Sequence, residues 1–209
     1  MPDSFTLMDE PRRPWLDGDA LRSKFLALSN GVHPDRFHCA PETERLDATA
    51  RYTALNAAYN TLKEPRDRLS LLLELELGAK PKDVQRIPPG TMDLFVEVGQ
   101  LCRDVDAYLA QRSKITSPLL KVKSFEQGME WTDKLQALNQ RIISKRDELA
   151  SELQQMNRQW ETAPPIGSAG RAGALPLERL EQIYRVFSYI ARWSEQIQDR
   201  TVQLAAGAF

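Results

Sequence analysis

Apolar residues recur along most of this chain at the three- and four-residue spacing of an α-helix, and segments that alternate as a β-strand does are nearly absent. The first clear helix follows Asp17 or Asp19, either of which can accept hydrogen bonds from the free amides of a first helical turn. Its apolar stripe, which we expect to be buried, consists of Leu21, Phe25, Leu28 and Val32. The pattern predicts an all-α protein.

Two further helices are predicted in the first third of the chain. One begins near Pro41 to Thr43, where acidic residues suit the positive end of the helix, and it runs to about Leu62. Pro65 marks the next break, and a short apolar helix follows over 66–77. The face that the second helix is expected to bury contains Leu55, Ala58, Tyr59 and Leu62. These helices define a predicted first domain over residues 1–77.

The segment 78–90 contains three prolines and two glycines and is predicted to be a linker. Three amphipathic helices are predicted after it: one over 91–111, one from Ser124 with a capping box to Gln127, and one from Pro176. The glycine- and alanine-rich segment 164–173 is expected to be a flexible loop. The two later helices are expected to bury the stripes Leu135, Leu138, Ile142, Leu149, Leu153 and Met156, and Leu180, Ile183, Phe187, Ile190 and Ile197. Short connections between such helices predict an antiparallel three-helix bundle over 91–209.

Composition narrows the possible functions. The net charge of −1 over 209 residues disfavours nucleic acid as a partner, and no apolar run approaches the length that spans a bilayer. Cys39 and Cys102 form no CxxC pair, so we expect no metal site, and we expect the N-terminus not to be a secretory signal and the protein to be cytoplasmic. With only two histidines and no nucleophile motif, we expect no catalytic residue, no enzyme activity and no cofactor.

The most informative residues are His33, Pro34 and Asp35, which lie between two predicted helices with Tyr59 and Pro65 downstream. This arrangement resembles the J-domain of DnaJ-like co-chaperones. In J-domains, this loop and the preceding helix dock on the ATPase domain of a DnaK-type chaperone and couple ATP hydrolysis to substrate capture. The resemblance implies a chaperone-binding site made of His33, Pro34, Asp35 and Arg36, together with Arg22 and Lys24 on the preceding helix.

Further residues resemble the HscB-type iron–sulfur co-chaperones. They are the opening Ser4-Phe5-Thr6-Leu7, the run His33-Pro34-Asp35-Arg36-Phe37, and Leu55-Asn56-Ala57-Ala58-Tyr59-Asn60-Thr61-Leu62 followed by Pro65, Arg68 and Leu72-Leu73. In that family, the first helix of the C-terminal domain presents apolar and acidic side chains to an iron–sulfur scaffold protein. The resemblance therefore implies an HscA-type chaperone and an IscU-like scaffold or other client as partners. The implied scaffold-binding residues are Leu94, Phe95, Val96, Glu97, Leu101 and Asp104.

Other interpretations stay open at this point. The protein could be a J-domain-like adaptor without chaperone coupling, or a client-delivery protein with no iron–sulfur role. His33 and Asp35 could serve only as helix caps, and the stripe from Leu94 to Val105 could simply pack within the bundle. Replacing His33 with glutamine separates the co-chaperone from the adaptor, because it should abolish ATPase stimulation and leave adaptor binding intact.

Overall fold

The computed structural model describes residues 2–81, 88 and 90–206, and all regular secondary structure in these ranges is helical. This confirms the predicted all-α class. A 3-10 turn, Pro34–Phe37, lies between the second and third helices. The α-helices are α1 (Ser4–Leu7), α2 (Gly18–Val32), α3 (Glu42–Lys63), α4 (Pro65–Leu77), α5 (Met92–Arg112), α6 (Pro118–Thr162), α7 (Arg171–Ala174) and α8 (Leu177–Ala206).

The chain divides into two compact units. The first comprises Met1–Asp83 and Ala150–Tyr184, and the second comprises Val84–Leu149 and Arg185–Phe209. The first unit therefore takes in a segment, 150–184, that the sequence pattern assigns to the C-terminal domain. One reason is the pairing of Trp15 with Asn157: the Trp15 amide donates to Asn157 Oδ1 at 3.0 Å, and Asn157 Nδ2 donates to the Trp15 carbonyl at 2.9 Å. The domain bounds at 77 and 90 stay a prediction, and most of the predicted linker (82–87 and 89) lies outside the described residues.

In the first unit, α2 packs against α3, and the residues that start and join these helices act as expected. The Asp17 side chain accepts a hydrogen bond from the Ala20 amide at 2.8 Å and so caps α2. Phe25 of α2 stacks on Tyr59 of α3 with ring centroids 4.4 Å apart. The predicted face of α3 is confirmed, since Leu55, Ala58 and Leu62 are buried and Tyr59 is half-buried.

The stripe predicted for α2 is only partly buried. Leu21 is buried and Phe25 is half-buried, but Leu28 is exposed, and Ser29 is buried in its place. Near the C-terminal end of α2, the buried face is therefore shifted by one residue from the predicted stripe. The buried hydroxyl of Ser29 is hydrogen-bonded, because Ser29 Oγ donates to the Leu26 carbonyl at 3.2 Å.

The N-terminal segment is anchored to the helices of the first unit. Phe5, Met8 and Leu16 are buried, and α1 packs against α3. Arg68 of α4 is also buried, and its guanidinium donates to the Pro14 carbonyl at 2.9 Å and to the Leu62 carbonyl at 2.5 Å. Burial lowers the pKa of Arg68 to about 10, against an opposing influence of Glu64.

The segment 164–173 is a loop as far as Gly170, as its composition predicts, but its last residues form a helix that the composition does not predict. It leads into the short helix α7, whose first residue, Arg171, is buried and forms two hydrogen bonds of 2.8 Å with the carboxylate of Glu76 on α4. The side chains of Arg171 and Glu76 are only 10% and 3% exposed. Arg171 also donates to the Pro164 carbonyl at 2.6 Å, so one buried side chain fixes both ends of the segment.

The start predicted for the long helix is also wrong. α6 begins at Pro118, whose fixed φ suits a first helical turn, so Ser124 lies inside the helix rather than at a capping box. Ser124 is buried, and the Tyr108 hydroxyl of α5 hydrogen-bonds to its carbonyl and lies 3.1 Å from its hydroxyl. The predicted buried stripes of α6 and α8 are confirmed at every position.

In the second unit, α5 contacts both long helices. Tyr108 meets Ser124 and Glu97 meets Arg141, so α5 and α6 run antiparallel. Asp106 pairs with Arg200 of α8 at 2.7 Å, and Phe95 contacts Tyr189, so α5 and α8 run parallel. This register is that of an up-down-up three-helix bundle. The residues that form its core include Val98, Cys102, Val105, Leu135, Leu138, Ile142, Ile190, Trp193 and Ile197.

Candidate functional site

The turn that joins α2 to α3 holds His33, Pro34 and Asp35. Helix α2 ends at Val32 because a residue that precedes proline avoids the helical conformation, and His33 is extended, with φ −63° and ψ 129°. Pro34 then begins the 3-10 turn as its first residue, where its missing N–H leaves no donor unsatisfied. The local sequence thus ends one helix and reverses the chain within four residues, Pro34–Phe37.

The side chains of this turn are arranged by local hydrogen bonds. The Asp35 amide donates to His33 Nδ1 at 3.3 Å, so a neutral His33 ring carries its proton on Nε2. The edge of the His33 ring meets Tyr52 of α3, with ring centroids 5.1 Å apart. The Asp35 carboxylate is 89% exposed and the His33 side chain 41% exposed. The turn therefore holds a half-buried imidazole and displays a carboxylate to solvent.

Arg36 is exposed but also forms a hydrogen bond within the protein. Its Nη1 donates to the Asn30 carbonyl at 3.1 Å, in the last turn of α2. A cation at that place satisfies a free carbonyl and interacts favourably with the negative end of the helix. The guanidinium of Arg36 consequently ties the turn to the helix before it.

The two basic residues of α2 differ in their surroundings. Arg22 is exposed and has no hydrogen bond or ion pair within the described part of the chain. Lys24 is held by the N-terminal segment: its Nζ lies 3.1 Å from Glu10 Oε1 and 3.4 Å from Asp9 Oδ2, and it also donates to the Asp9 carbonyl. Desolvation acts to lower the pKa of Lys24, but the hydrogen bonds and charges of Glu10 and Asp9 outweigh it, and the net pKa is raised.

Asp9 and Glu10 are thus part of this surface, and the sequence pattern did not identify them. Their segment is not helical at Asp9, whose φ of 51° is positive. A contact between residues 14 or 15 positions apart, one of them in irregular chain before α2, leaves no periodic signal. Only an excess of acidic residues before a basic helix could have suggested the pairing.

The residues of α5 that the resemblance assigns to scaffold binding differ in burial and in the neighbouring helix that they face. Leu94 and Leu101 are half-buried, and the remaining side chains fall on two flanks of the helix. Phe95 and Val96 lie on the flank towards α8, whereas Glu97, Leu101 and Asp104 lie on the flank towards α6. Val98, Cys102 and Val105 lie between the flanks on the packed side of the helix and are buried.

On the flank towards α8, an apolar groove of about 410 Å³ contains aromatic side chains. Phe95 meets Tyr189 edge-on, with ring centroids 6.2 Å apart, and Tyr189 contacts Trp193 at 5.7 Å. Phe95 and Val96 remain 40% and 58% exposed. This groove can receive an apolar side chain of a partner.

On the flank towards α6, the acidic side chains have partners within the chain. Both oxygens of Glu97 accept hydrogen bonds from Arg141 of α6. Asp104 Oδ1 accepts one from Gln100 Nε2 at 2.8 Å, and Gln100 Oε1 accepts one from Arg103 at 2.7 Å. Arg141 therefore neutralises the charge of Glu97, whereas Asp104 keeps its charge beside the neutral Gln100.

In residues 2–81, 88 and 90–206, no group of three or more His, Cys, Asp and Glu side chains is arranged to hold a metal ion. Within the same ranges, no helix is both long and apolar enough to cross a membrane. Cys39 is exposed and Cys102 is buried, and each is a free thiol; burial is the main cause that raises the pKa of Cys102. The absence of a cofactor stays a prediction.

The chain shows clear likeness to known proteins. It is 43% identical over 72 residues to the co-chaperone protein HscB homolog of Vibrio cholerae serotype O1, a match that covers 34% of this chain and 42% of the relative's length. Its fold matches the crystal structure of human co-chaperone protein HscB with a TM-score of 0.60 and 20% identity, over 95% of this chain and 81% of that one. The chaperone HscB structure from Vibrio cholerae aligns over 93% of this chain and 99% of that one, with 23% identity and a TM-score of 0.46. No protein-family model matches the chain.

The sequence match extends over less than half of its relative's length, and the structural match shows a shared fold. The chain is therefore similar to HscB-type co-chaperones, in sequence over 72 residues and in its all-α fold over nearly its whole length.

Proposed function

We propose that this protein stimulates the ATPase of a DnaK- or HscA-type chaperone through the turn that contains His33, Pro34 and Asp35. The observation that carries the proposal is the display of the Asp35 carboxylate, 89% exposed, on a turn that is fixed between two packed helices. A charged side chain held in place before binding loses little conformational freedom when a partner docks. No enzymatic activity of its own forms part of this proposal.

Each residue of the turn has a role in the proposal. Pro34 fixes the chain reversal, and the His33 imidazole orients the Asp35 amide through Nδ1. Asp35 then accepts hydrogen bonds from donors on the chaperone. Arg22 is the exposed cation of α2 that meets an acidic chaperone surface, and complementary charge of this kind acts mainly on the rate of association.

The second half of the proposal is delivery of a client by α5, with an IscU-like iron–sulfur scaffold protein as the client. It is supported by the exposed Phe95 and Val96 beside the aromatic groove. Apolar side chains that protrude next to a groove are typical of a protein-binding site. Glu97, Leu101 and Asp104 belong to the same proposal as flanking contacts, and Leu94 as a supporting residue beneath them.

The cytoplasm is the compartment that we propose for this activity. Cys39 and Cys102 are both free thiols, as is usual in a reducing compartment.

Single-turnover ATP hydrolysis by a DnaK-type chaperone tests the first half. The wild-type protein should accelerate hydrolysis, and His33→Gln should not. Lys80→Gln is a control, because Lys80 is exposed and lies in the first unit outside this turn and α2. Equal stimulation by wild type and His33→Gln would refute the proposal.

Titration calorimetry with a purified iron–sulfur scaffold protein tests the second half. Phe95→Ser combined with Val96→Ser should weaken binding by about tenfold or more, since a few exposed apolar anchors carry most of an interface's binding energy. Leu46→Ser removes an equally exposed apolar side chain from α3 and should leave binding unchanged. If scaffold binding persists in His33→Gln without ATPase stimulation by any form of the protein, the protein is an adaptor.

A further inference from the structure

The end of the second unit where α5 meets α6 carries an exposed apolar surface outside the site described above. It belongs to the first turns of α6, where Leu119 is 80% exposed, Val122 61% and Phe125 51%. Leu120 and Met129 are also exposed. Contiguous apolar surface of this extent is uncommon on soluble proteins and marks a binding site more often than chance.

Part of this surface is a groove rather than a flat patch. It has a volume of about 650 Å³ and lies between the end of α5, the start of α6 and the end of α8. Val122, Phe125 and Met129 recur at helical spacing along one wall, beside the buried positions Ser124 and Gly128 that pack on Tyr108. Its apolar lining residues are Leu109, Ile115, Val122, Phe125, Met129 and Leu204. We name this feature the α6 groove.

The two charged residues that line the α6 groove, Arg112 and Lys121, are both basic, although Glu126 and Glu130 are exposed on the same helix. Residues 107–125 contain four basic residues and no acidic one, although the whole chain has a net charge of −1. Arg112 is used within the protein, because it donates to the carbonyls of Gln203 and Leu204 at the end of α8. Lys114, Lys121 and Lys123 are exposed and have no ion-pair partner in the described ranges.

These observations discriminate between possible occupants. A second copy docked by twofold symmetry would bring two copies of the same basic surface together, which is unfavourable. A bilayer is flat and would leave the groove unfilled. An amphipathic helix presents a row of apolar side chains that can enter a groove, and acidic residues beside that row would meet the lysines.

We propose that the α6 groove binds an acidic amphipathic helix of a partner protein. The apolar side chains of that helix insert between Phe125, Met129 and Leu204, and its acidic residues pair with Lys121 and Lys123. This surface is separate from the residues assigned above to chaperone and scaffold binding, so the proposal does not depend on either of those functions.

Fluorescence anisotropy with synthetic peptides tests the proposal on the full-length protein. The probe is a labelled helix of about 18 residues, long enough for five turns, with Leu and Phe at every third or fourth position and Glu elsewhere. A second peptide replaces each Glu with Gln, and a third replaces each with Lys. The acidic peptide should bind at least about tenfold more tightly than the other two at low salt, and its affinity should fall as salt is added.

Substitutions of groove residues test whether the peptide binds in the α6 groove. Phe125→Ser with Met129→Ser should abolish binding of the acidic peptide, and Lys121→Glu with Lys123→Glu should reverse the preference in favour of the lysine peptide. Leu46→Ser and Lys80→Glu change similarly exposed residues elsewhere and should bind as wild type does. Circular dichroism of each variant establishes that it is folded.

Other results would overturn the proposal. They are absence of peptide binding by the wild type, equal affinity for all three peptides, or binding that the groove variants do not change. Two further results would assign the surface to a membrane or to a second copy of the chain. Binding to phosphatidylserine-containing vesicles that Lys121→Glu with Lys123→Glu abolishes, without peptide binding, would assign the surface to a membrane. A concentration-dependent dimer in sedimentation equilibrium that Phe125→Ser with Met129→Ser abolishes would assign it to a second copy.

Discussion

Glu10 pairs with Lys24: the carboxylate of the N-terminal segment lies 3.1 Å from the ammonium group on α2. The Glu10 side chain is only 12% exposed, and Asp9 adds a second carboxylate at 3.4 Å. One of the two α2 cations in the proposed chaperone-binding site is thus already neutralised within the protein. In the proposed complex, the N-terminal segment would compete with an acidic chaperone surface for Lys24.

Releasing Lys24 should strengthen chaperone engagement. We expect Asp9→Asn with Glu10→Gln to lower the half-saturating concentration for ATPase stimulation by about two- to fivefold at low salt, since partly exposed charge pairs are worth roughly 0.2–1 kcal/mol. The effect should disappear when Lys24→Gln is added to the two substitutions. An unchanged half-saturating concentration in the double variant would show that Lys24 does not meet the chaperone.

The buried pair of Arg171 and Glu76 should stabilise the first unit. Glu76→Gln leaves a guanidinium buried without its counter-charge, and we expect it to lower the free energy of unfolding by about 3 kcal/mol. Urea denaturation followed by circular dichroism measures the change. In a double-mutant cycle with Arg171→Met, the second substitution should recover part of the loss; strictly additive effects would contradict a direct interaction.

The carboxylate of Asp3 should give stability that depends on pH. Desolvation acts to raise its pKa, but the hydrogen bond and charge of Arg12 at 2.7 Å and the amides of Thr6 and Phe5 outweigh it, so the pKa is lowered from 3.8. A lowered carboxyl pKa stabilises the folded state fully above the unfolded value, and this stabilisation is lost as the pH falls through the folded value.

Asp3→Asn tests this assignment, because asparagine keeps the oxygen that caps α1 and removes only the charge. We expect the variant to be less stable by about 1 kcal/mol at neutral pH, and the difference from wild type to vanish only below the ordinary carboxyl range. Urea unfolding of both proteins from neutral to acidic pH measures it. A difference that stays constant to the lowest pH would place its cause elsewhere than in the Asp3 charge.

Local physics accounts for what could be predicted from the sequence. Asp17 accepts from an amide three residues ahead, and Pro34 acts on the conformation of His33, so both effects depend on neighbours in the chain. The buried stripes of α6 and α8 follow from helical periodicity in the same way. These features are visible in the sequence because each is determined within a few turns.

Contacts between distant residues account for the errors. Arg171 and Glu76 are 95 residues apart, and nothing near 164–173 indicates that an arginine there becomes buried. Ser124 resembles a capping residue, yet it lies inside α6, which begins at Pro118, and its hydroxyl contacts the Tyr108 hydroxyl. The division of α5 into two flanks depends on where α6 and α8 pack, which the apolar spacing of α5 alone does not encode.

Single-turnover ATP hydrolysis by a DnaK-type chaperone with the Asp35→Asn variant tests the central claim most directly. This substitution removes one charge from a side chain that is 89% exposed, so the fold and its thermal stability should not change. We predict that the wild-type protein accelerates hydrolysis and that Asp35→Asn reduces the acceleration to the level of the chaperone alone. Stimulation by Asp35→Asn equal to that of the wild type would contradict the assignment of this turn as the chaperone-binding site.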